Sequence, residues 1–205
     1  KIEVWITQVN FNSQDQTRNL VAMQDLGEYN AYASSFVGQG TSVYPSDQLS
    51  NNLYQKLTTT YSGIRNFQSA SSVLDPLSSV YNFSPQQDYE LITNAKKLSS
   101  TDFTYNEKLG FISLNSELRN DQALAVAFEY TVNGKVYRVG ELTTSGIDPS
   151  QPLIVKLIRG RNFNTTLPSW KLMMKNVYNL NAFQISSEKF RLDVLYFDNA
   201  AGSYV

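Results

Sequence analysis

Apolar residues recur along the chain with two periods, and each period predicts one kind of element. Alternation of apolar and polar positions predicts a strand at 2–9, where Ile2, Val4 and Ile6 share one face. A second strand at 18–24 follows a polar turn, and we expect these two to pair as a hairpin or a wider β-arch. Further strands are predicted at 109–114, 152–158 and 190–197, and the nearly apolar 152–158 run is typical of a central strand.

The strongest local signal is a hairpin between 124–132 and 135–142. The two segments flank Asn133-Gly134, the dipeptide that best fits a two-residue type I′ turn. This turn sets Glu129 opposite Arg138 on one face and pairs aromatic and apolar residues on the other. The sequence therefore predicts one buried face and one wetter face.

A period near four residues predicts helices in the first half of the chain. Leu49, Leu53 and Leu57 indicate a helix that Ser46 would cap and Gly63 would end. A weaker helical pattern at 67–74 stops before a proline. The segment from Ser84 has the form of a capping box with proline at the first helical position, which predicts a helix over 89–98, and a short helical turn is expected within 168–178.

These elements predict an α+β fold. We expect an antiparallel or mixed β-sheet, sandwich-like, with two or three helices packed on it, forming a single soluble domain over 1–205. A tilted strand needs about 9–11 residues to cross a bilayer. Only the 124–142 hairpin and the last strand approach that pattern, so the chain is not expected to be a segment of a membrane barrel.

Composition excludes several kinds of chemistry. The chain has no cysteine and no histidine, which removes thiol nucleophiles, thiolate metal sites and triads that use a histidine base. The net charge is −1 and both signs are mixed along the chain, so nucleic acid is not an expected partner. Charged residues make up only 17%, and there are 13 tyrosines and 11 phenylalanines. This composition is typical of cell-surface and periplasmic proteins, or simply of a β-rich domain.

Acidic and aromatic residues were weighed as candidate sites. Asp25 and Glu28 form the most suggestive carboxylate pair for a glycosidase, but a turn or salt-bridge role is favoured, and no catalytic, cofactor or metal site is predicted. Trp5 and Trp170 with nearby tyrosines could form a sugar-stacking platform, although packing in the core is the preferred interpretation.

The segment from Trp170 to Ile185 has no clean period. Its adjacent methionines would point in different directions in any regular element, which predicts a connector against which other elements pack. The methionine pair is expected to fill the core, with an adaptable partner-binding patch as the alternative, and the lysine after it would either meet a buried acid or extend to solvent. We name this set the packing hub: Trp170, Met173, Met174, Lys175, Asn176 and Tyr178.

Six ordered blocks of the chain resemble the SprA/Sov family, the giant outer-membrane translocon of the type 9 secretion system and gliding motility. Lys171 and Asn181 depart from the residues common in that family, and the region at about 29–85 resembles it least and is expected to be a variable helical insertion. The blocks are IEVWIT (2–7), TRNLVAMQDLGE (17–28), NAKKLSSTDFTYNEKLGFISLN (94–115), ALAVAFEYTVNGKVYRVGEL (123–142), LPSWKLMMKNVYNLNAFQI (167–185) and FRLDVLY (190–196).

The resemblance implies a structural role without catalysis. It implies that the chain is one soluble domain excised from a much larger outer-membrane protein, on the extracellular cap rather than in the periplasm. The implied partners are other domains of that protein, a PorV-like shuttle, a periplasmic plug and secreted cargo. The alternative is a free-standing carbohydrate-binding or adhesive module of the cell surface, and a glycosidase fragment is a third possibility.

Overall fold

The computed structural model describes residues 1–8, 14–28, 35–38, 44–174, 182, 184–193 and 195–204. These residues form two compact units, 1–173 and 174–205. The elements of the first unit are, in order, β1 (Ile2–Ile6), β2 (Thr17–Met23), α1 (Leu53–Thr58), a 3-10 helix (Ser62–Arg65), α2 (Phe67–Tyr81), β3 (Tyr89–Lys97), β4 (Phe103–Asn106), β5 (Phe111–Leu114), β6 (Leu124–Val132), β7 (Lys135–Val139), β8 (Leu153–Arg159) and α3 (Pro168–Leu172).

Five strands close into a small barrel in the order β1-β3-β2-β8-β6, and β6 returns to β1. All neighbouring pairs are antiparallel except β2 and β8, which run parallel. Hairpin partner β7 extends from the second half of β6, and β4 pairs with β5 in a separate hairpin. The α+β class with a mixed sheet and packed helices is therefore confirmed, and β8 is central, as its apolar run predicts.

The inside of the closed sheet is a core of one large ring and many small side chains. Trp5 is 1% exposed and lies in the same cluster as alanines that face inward from β2, β3 and β6. Small residues opposite a large one are what a narrow closed sheet needs, because its interior has room only for side chains. The inward-facing cluster is Trp5, Leu20, Ala22, Ile92, Ala95, Ala123, Ala125, Ala127, Leu142, Leu153, Val155 and Leu157.

The outer surface of β2 and β8 lies under the helices. Leu53 and Leu57 of α1 and Leu74 of α2 are fully buried against it. Phe36 fills the space between the helices and the sheet, with its ring edge-on to Tyr61 at 5.3 Å. We call this outer surface the helix-covered face.

The outer surface of β1 and β6 lies under the β4–β5 hairpin instead. Val4, Leu124 and Val126 are its buried residues, and the side chains that cover them from the hairpin are only partly buried. We call this surface the hairpin-covered face.

The β6–β7 hairpin forms with the predicted register. Tyr130 lies opposite Tyr137 and Glu129 opposite Arg138, and both turn residues have the positive φ that a type I′ turn requires. After β7 the chain turns at Gly140, where φ is 78° and a Cβ would lie 3.2 Å from the backbone of β8. Only glycine fits this approach without strain.

The predicted helix over 89–98 is wrong, because those residues form β3. Asp88 accepts a hydrogen bond from the Ser84 backbone amide at 2.8 Å, so the apparent capping box closes a turn rather than starting a helix. The strand then lies between β1 and β2. The expected pairing of β1 with β2, as a hairpin or a wider β-arch, does not form either, since β3 lies between the two strands in the sheet order.

The helical segments at 45–81 form with different bounds. Helix α1 begins only at Leu53, because Ser46 is used elsewhere: its hydroxyl donates to the Glu28 carbonyl at 3.0 Å. Helix α2 continues through Pro76 to Tyr81 and ends at Asn82, which adopts the left-handed conformation typical of a C-terminal cap.

The second unit contains the short strands β9 (Phe197–Asp198) and β10 (Ser203–Tyr204), which pair antiparallel. The strand predicted at 190–197 does not form in the described residues before Phe197. Several large apolar side chains of this unit are exposed, including Leu195 at 62% and Tyr196 at 70%.

Candidate functional site

The packing hub is only partly within the described residues. Helix α3 places Pro168 at its first position, which suits the fixed φ of proline, and the Trp170 amide donates to the Leu167 carbonyl at 3.0 Å. Trp170 and Met173 are half-buried, whereas Met174 is 58% exposed. The expectation that the methionine pair fills the core is therefore wrong. The helix ends at Leu172 and Met173 is extended, so the two adjacent side chains point in different directions. Lys175, Asn176 and Tyr178 lie outside the described residues.

Burial around α3 is carried by residues that the sequence pattern did not single out. Leu167 and Ser169 are buried, at 8% and 7% exposure. Ser169 directly precedes the tryptophan, and Leu167 precedes the proline, where an extended residue is expected. No signal in the local sequence separates these two residues from their neighbours.

The carboxylate of Glu141 is 2% exposed and joins several elements of the first unit. Arg65 binds it with two parallel hydrogen bonds, at 2.5 and 2.7 Å. The Tyr54 hydroxyl donates to it at 2.8 Å, and the Ile154 backbone amide does so at 2.8 Å. A two-pronged arginine contact is among the strongest polar contacts a protein can make, so this group ties the 3-10 helix and α1 to β8.

Charge at this cluster shifts the titration of its neighbours. Burial is the larger cause, and the Glu141 charge the next, and together they raise the pKa of Tyr54 to about 12. The hydrogen bonds that Arg65 donates to Glu141 raise the pKa of Arg65, which already keeps its charge in water. Tyr54 is therefore a neutral hydrogen-bond donor across the physiological pH range.

The candidate carboxylates Asp25 and Glu28 lie beside a buried lysine. The Lys156 ammonium is 2.6 Å from a Glu28 oxygen and also donates to the Gln24 carbonyl. Asp25 is fully buried and accepts from the Gly27 amide at 2.7 Å. Burial raises the pKa of Glu28 against the lowering effect of Lys156. The arrangement matches the favoured turn and salt-bridge role.

Two further buried carboxylates have the same kind of partner. Glu3 accepts from Lys97 at 2.8 Å and from Thr143 at 2.6 and 2.9 Å. Burial alone would raise the pKa of Glu3, but these hydrogen bonds outweigh it and lower the pKa overall. Glu90 binds the Arg161 backbone amide at 2.6 Å and its guanidinium at 2.9 Å.

The proposed tryptophan platform does not form around Trp5, because that ring is inside the closed sheet at 1% exposure. Tyrosines gather at the surface instead. The rings of Tyr130 and Tyr137 stack at 5.4 Å, and Tyr44 stacks on Tyr130 at 6.1 Å. The Lys135 ammonium lies 5.1 Å from the Tyr137 ring. The stacked aromatic rings at this surface are therefore tyrosines, and Trp5 is not among them.

Within the described part of the chain, no group of three or more acidic side chains is arranged to hold a metal ion. None of the described helices has both the length and the apolar character that crossing a bilayer requires.

Comparisons with known proteins found no matching family model and no matching curated protein.

Proposed function

We propose that the chain is a structural, non-catalytic domain of a protein-conducting translocon of the SprA/Sov type in the bacterial outer membrane. In this proposal it shapes the pore mouth or cap, or receives partners, during export of folded cargo by a type 9 secretion system. The resemblance of six ordered sequence blocks supports the family, and the uncharged, tyrosine-rich composition supports a position at the cell surface or in the envelope. Within that proposal, the extracellular cap is preferred to a periplasmic position.

One observation carries the non-catalytic role. Each of the buried glutamates Glu3, Glu90 and Glu141, and the half-buried Glu28, has a lysine or arginine partner within 3 Å. A general acid or base must exchange its proton with a substrate, and a carboxylate already held by a cation and backbone amides is poorly suited to that task. Such pairs are suited to fixing the connections of a closed sheet in one geometry.

The partners follow from the same proposal. They are the other domains of the translocon chain, a PorV-like shuttle protein, a periplasmic plug and the secreted cargo. Met174 of the packing hub is 58% exposed. An exposed, flexible apolar side chain can adapt to a partner surface, which supports a contact role for this residue.

Replacing residues 1–205 in the parent gene by a glycine-serine linker tests the role. We expect cargo to be retained inside the cell while the parent protein still reaches the outer membrane, measured by immunoblots of medium and membrane fractions. Export at the wild-type level would contradict the proposal.

Point variants test whether export needs the rigid fold of the domain and not merely its presence. Glu141→Gln in the parent protein should reduce export, whereas Glu117→Gln, at an exposed position, should leave export unchanged.

Family membership is tested by the sequences on either side of this chain. Flanks without barrel-type strands would refute the translocon assignment.

A further inference from the structure

A second surface feature is a groove beside the Glu141 cluster. It has a volume of about 740 Å³, which lies within the range of pockets that hold small molecules. Strand β2, the start of α2 and the loop before β8 form its walls. Its lining is Asn19, Ser62, Gly63, Arg65, Asn66, Phe67, Gln68, Ser69, Ser150 and Gln151.

The lining is polar but nearly free of net charge. Among these residues only Arg65 is charged, and Glu141 neutralises it through two hydrogen bonds. The remaining polar side chains are amides and hydroxyls, which act as both donors and acceptors. A groove of this kind offers little attraction to an anion or a cation.

Two of the amides are held in fixed positions by the fold. Asn19 lies at an irregularity of the β2–β3 pairing, where its side-chain oxygen accepts from the Asn94 amide at 2.9 Å. Asn66 caps α2, and its side-chain oxygen accepts from the Gln68 amide at 3.1 Å. In the described part of the chain, the Nδ2 donors of both side chains make no hydrogen bond.

Phe67 adds an apolar surface to these donors. It is half-buried and lines the groove between Asn66 and Gln68. A sugar ring presents hydroxyls at its edge and C–H bonds on its face, so it matches neutral amide and hydroxyl groups arranged around one aromatic ring.

We infer that this groove binds a neutral oligosaccharide, with Asn19, Asn66, Gln68 and Gln151 hydrogen-bonded to its hydroxyls and Phe67 packed against one sugar ring. This inference does not depend on the translocon proposal, since the groove has the same lining in any parent protein. It also differs from a tryptophan platform, because neither tryptophan takes part.

Titration of the ¹⁵N-labelled 205-residue chain tests the inference. The probes are four neutral hexasaccharides, of glucose in α-1,4 and in β-1,4 linkage, of mannose and of N-acetylglucosamine, each at up to about 10 mM so that millimolar dissociation constants are detected. We expect at least one to cause saturable chemical-shift changes confined to the groove. Absence of binding by all four, or saturable changes elsewhere, would overturn the inference.

A double variant assigns the binding to the groove. The side chains of Gln68 and Gln151 make no hydrogen bonds within the described residues, so Gln68→Ala/Gln151→Ala should keep the fold while weakening binding at least tenfold. Gln55→Ala, on the exposed surface of α1, is the matched control and should bind as the wild type does. Undiminished binding by the double variant would refute the site.

An uncharged peptide rich in serine and asparagine distinguishes the ligand class. We expect it to leave the groove signals unchanged at the same concentration. Saturable groove shifts with this peptide and none with the sugars would refute the carbohydrate assignment while leaving the translocon proposal standing.

Discussion

The two outer faces of the closed sheet are covered in different ways. On the helix-covered face, α1, α2 and the aromatic side chains around Phe36 form a large cluster in which Leu53, Leu57 and Leu74 have no exposed surface. On the hairpin-covered face, the three buried residues Val4, Leu124 and Val126 lie under side chains that are themselves only partly buried.

This difference indicates where stability is concentrated. Apolar burial stabilises by roughly 25 cal/mol per Å² removed from water, so fully buried leucines contribute more than half-buried ones. The helix-covered face also carries the buried Glu141–Arg65 pair, whereas the exposed Glu129–Arg138 pair lies on the β6–β7 hairpin. We therefore expect the helix-covered face to control global unfolding and the β4–β5 hairpin to open locally.

The largest expected effect comes from cutting back a helix-side leucine. Leu74→Ala should lower the free energy of unfolding by about 3–5 kcal/mol, because the surrounding core cannot close the cavity. Leu114→Ala, at a half-buried position of β5, should cost only about 1 kcal/mol. Urea unfolding followed by circular dichroism measures both, and equal losses would remove the distinction between the faces.

Breaking the buried ion pair should be nearly as costly. Glu141→Gln should destabilise by about 2–4 kcal/mol, because Arg65, at 17% exposure, keeps its charge without a counter-ion. Glu129→Gln is the matched control at an exposed pair and should cost less than about 1 kcal/mol. If both variants unfold at the same urea concentration, the buried pair has no special role.

Acid should weaken the inward-facing Glu3 pair by a smaller amount. Its folded pKa is below the ordinary value of about 4.5, so its contribution is present above that pH and is lost as the pH falls through the folded pKa. Glu3→Gln should therefore be less stable than the wild type at pH 7, with a difference that shrinks in acid. A constant difference from pH 7 to pH 3 would contradict this, and exposed Glu117→Gln is the control.

The smallest effect, and the opposite sign, is expected at Glu28. Its folded pKa is above about 4.5, so its contribution is present below that value and is lost as the pH rises through the folded pKa. Relative to Glu28→Gln, the wild type should lose stability on going from pH 4 to pH 8. Parallel stability curves for the two proteins would show that burial does not dominate at this site.

Local patterns predicted the elements whose structure is decided locally. The β6–β7 hairpin and its full register followed from Asn133-Gly134, because a two-residue turn leaves only one pairing. The prediction of a helix after Ser84 was wrong because the structure of that segment is decided by distant contacts. Its capping pattern is local, but β3 is stabilised by pairing with both β1 and β2. Tertiary pairing outweighed a helix-start signal that would be worth only about 1 kcal/mol.

The candidate site was still harder to predict. Sequence reasoning singled out Asp25 and Glu28 as acids near a turn, but the partner Lys156 is far away along the chain and contributes from β8. Arg65 and Glu141 are separated by 76 positions, and the local sequence around either residue does not predict that they pair. Closure of the sheet depends on the pairing of β6 with β1, which is also a contact between distant segments. Composition and periodicity therefore predicted the α+β class but not that the sheet closes into a barrel.

Closure of the sheet has a consequence for synthesis. The two first strands cannot complete their pairing when they leave the ribosome, since the Glu129 amide donates to the Lys1 carbonyl across 128 positions and β2 needs β8. At typical rates of translation, roughly 8 to 30 seconds separate the appearance of β1 from that of the end of β8. High contact order of this kind slows folding, so β1 lacks its partner β6, and β2 its partner β8, until most of the unit has been synthesised.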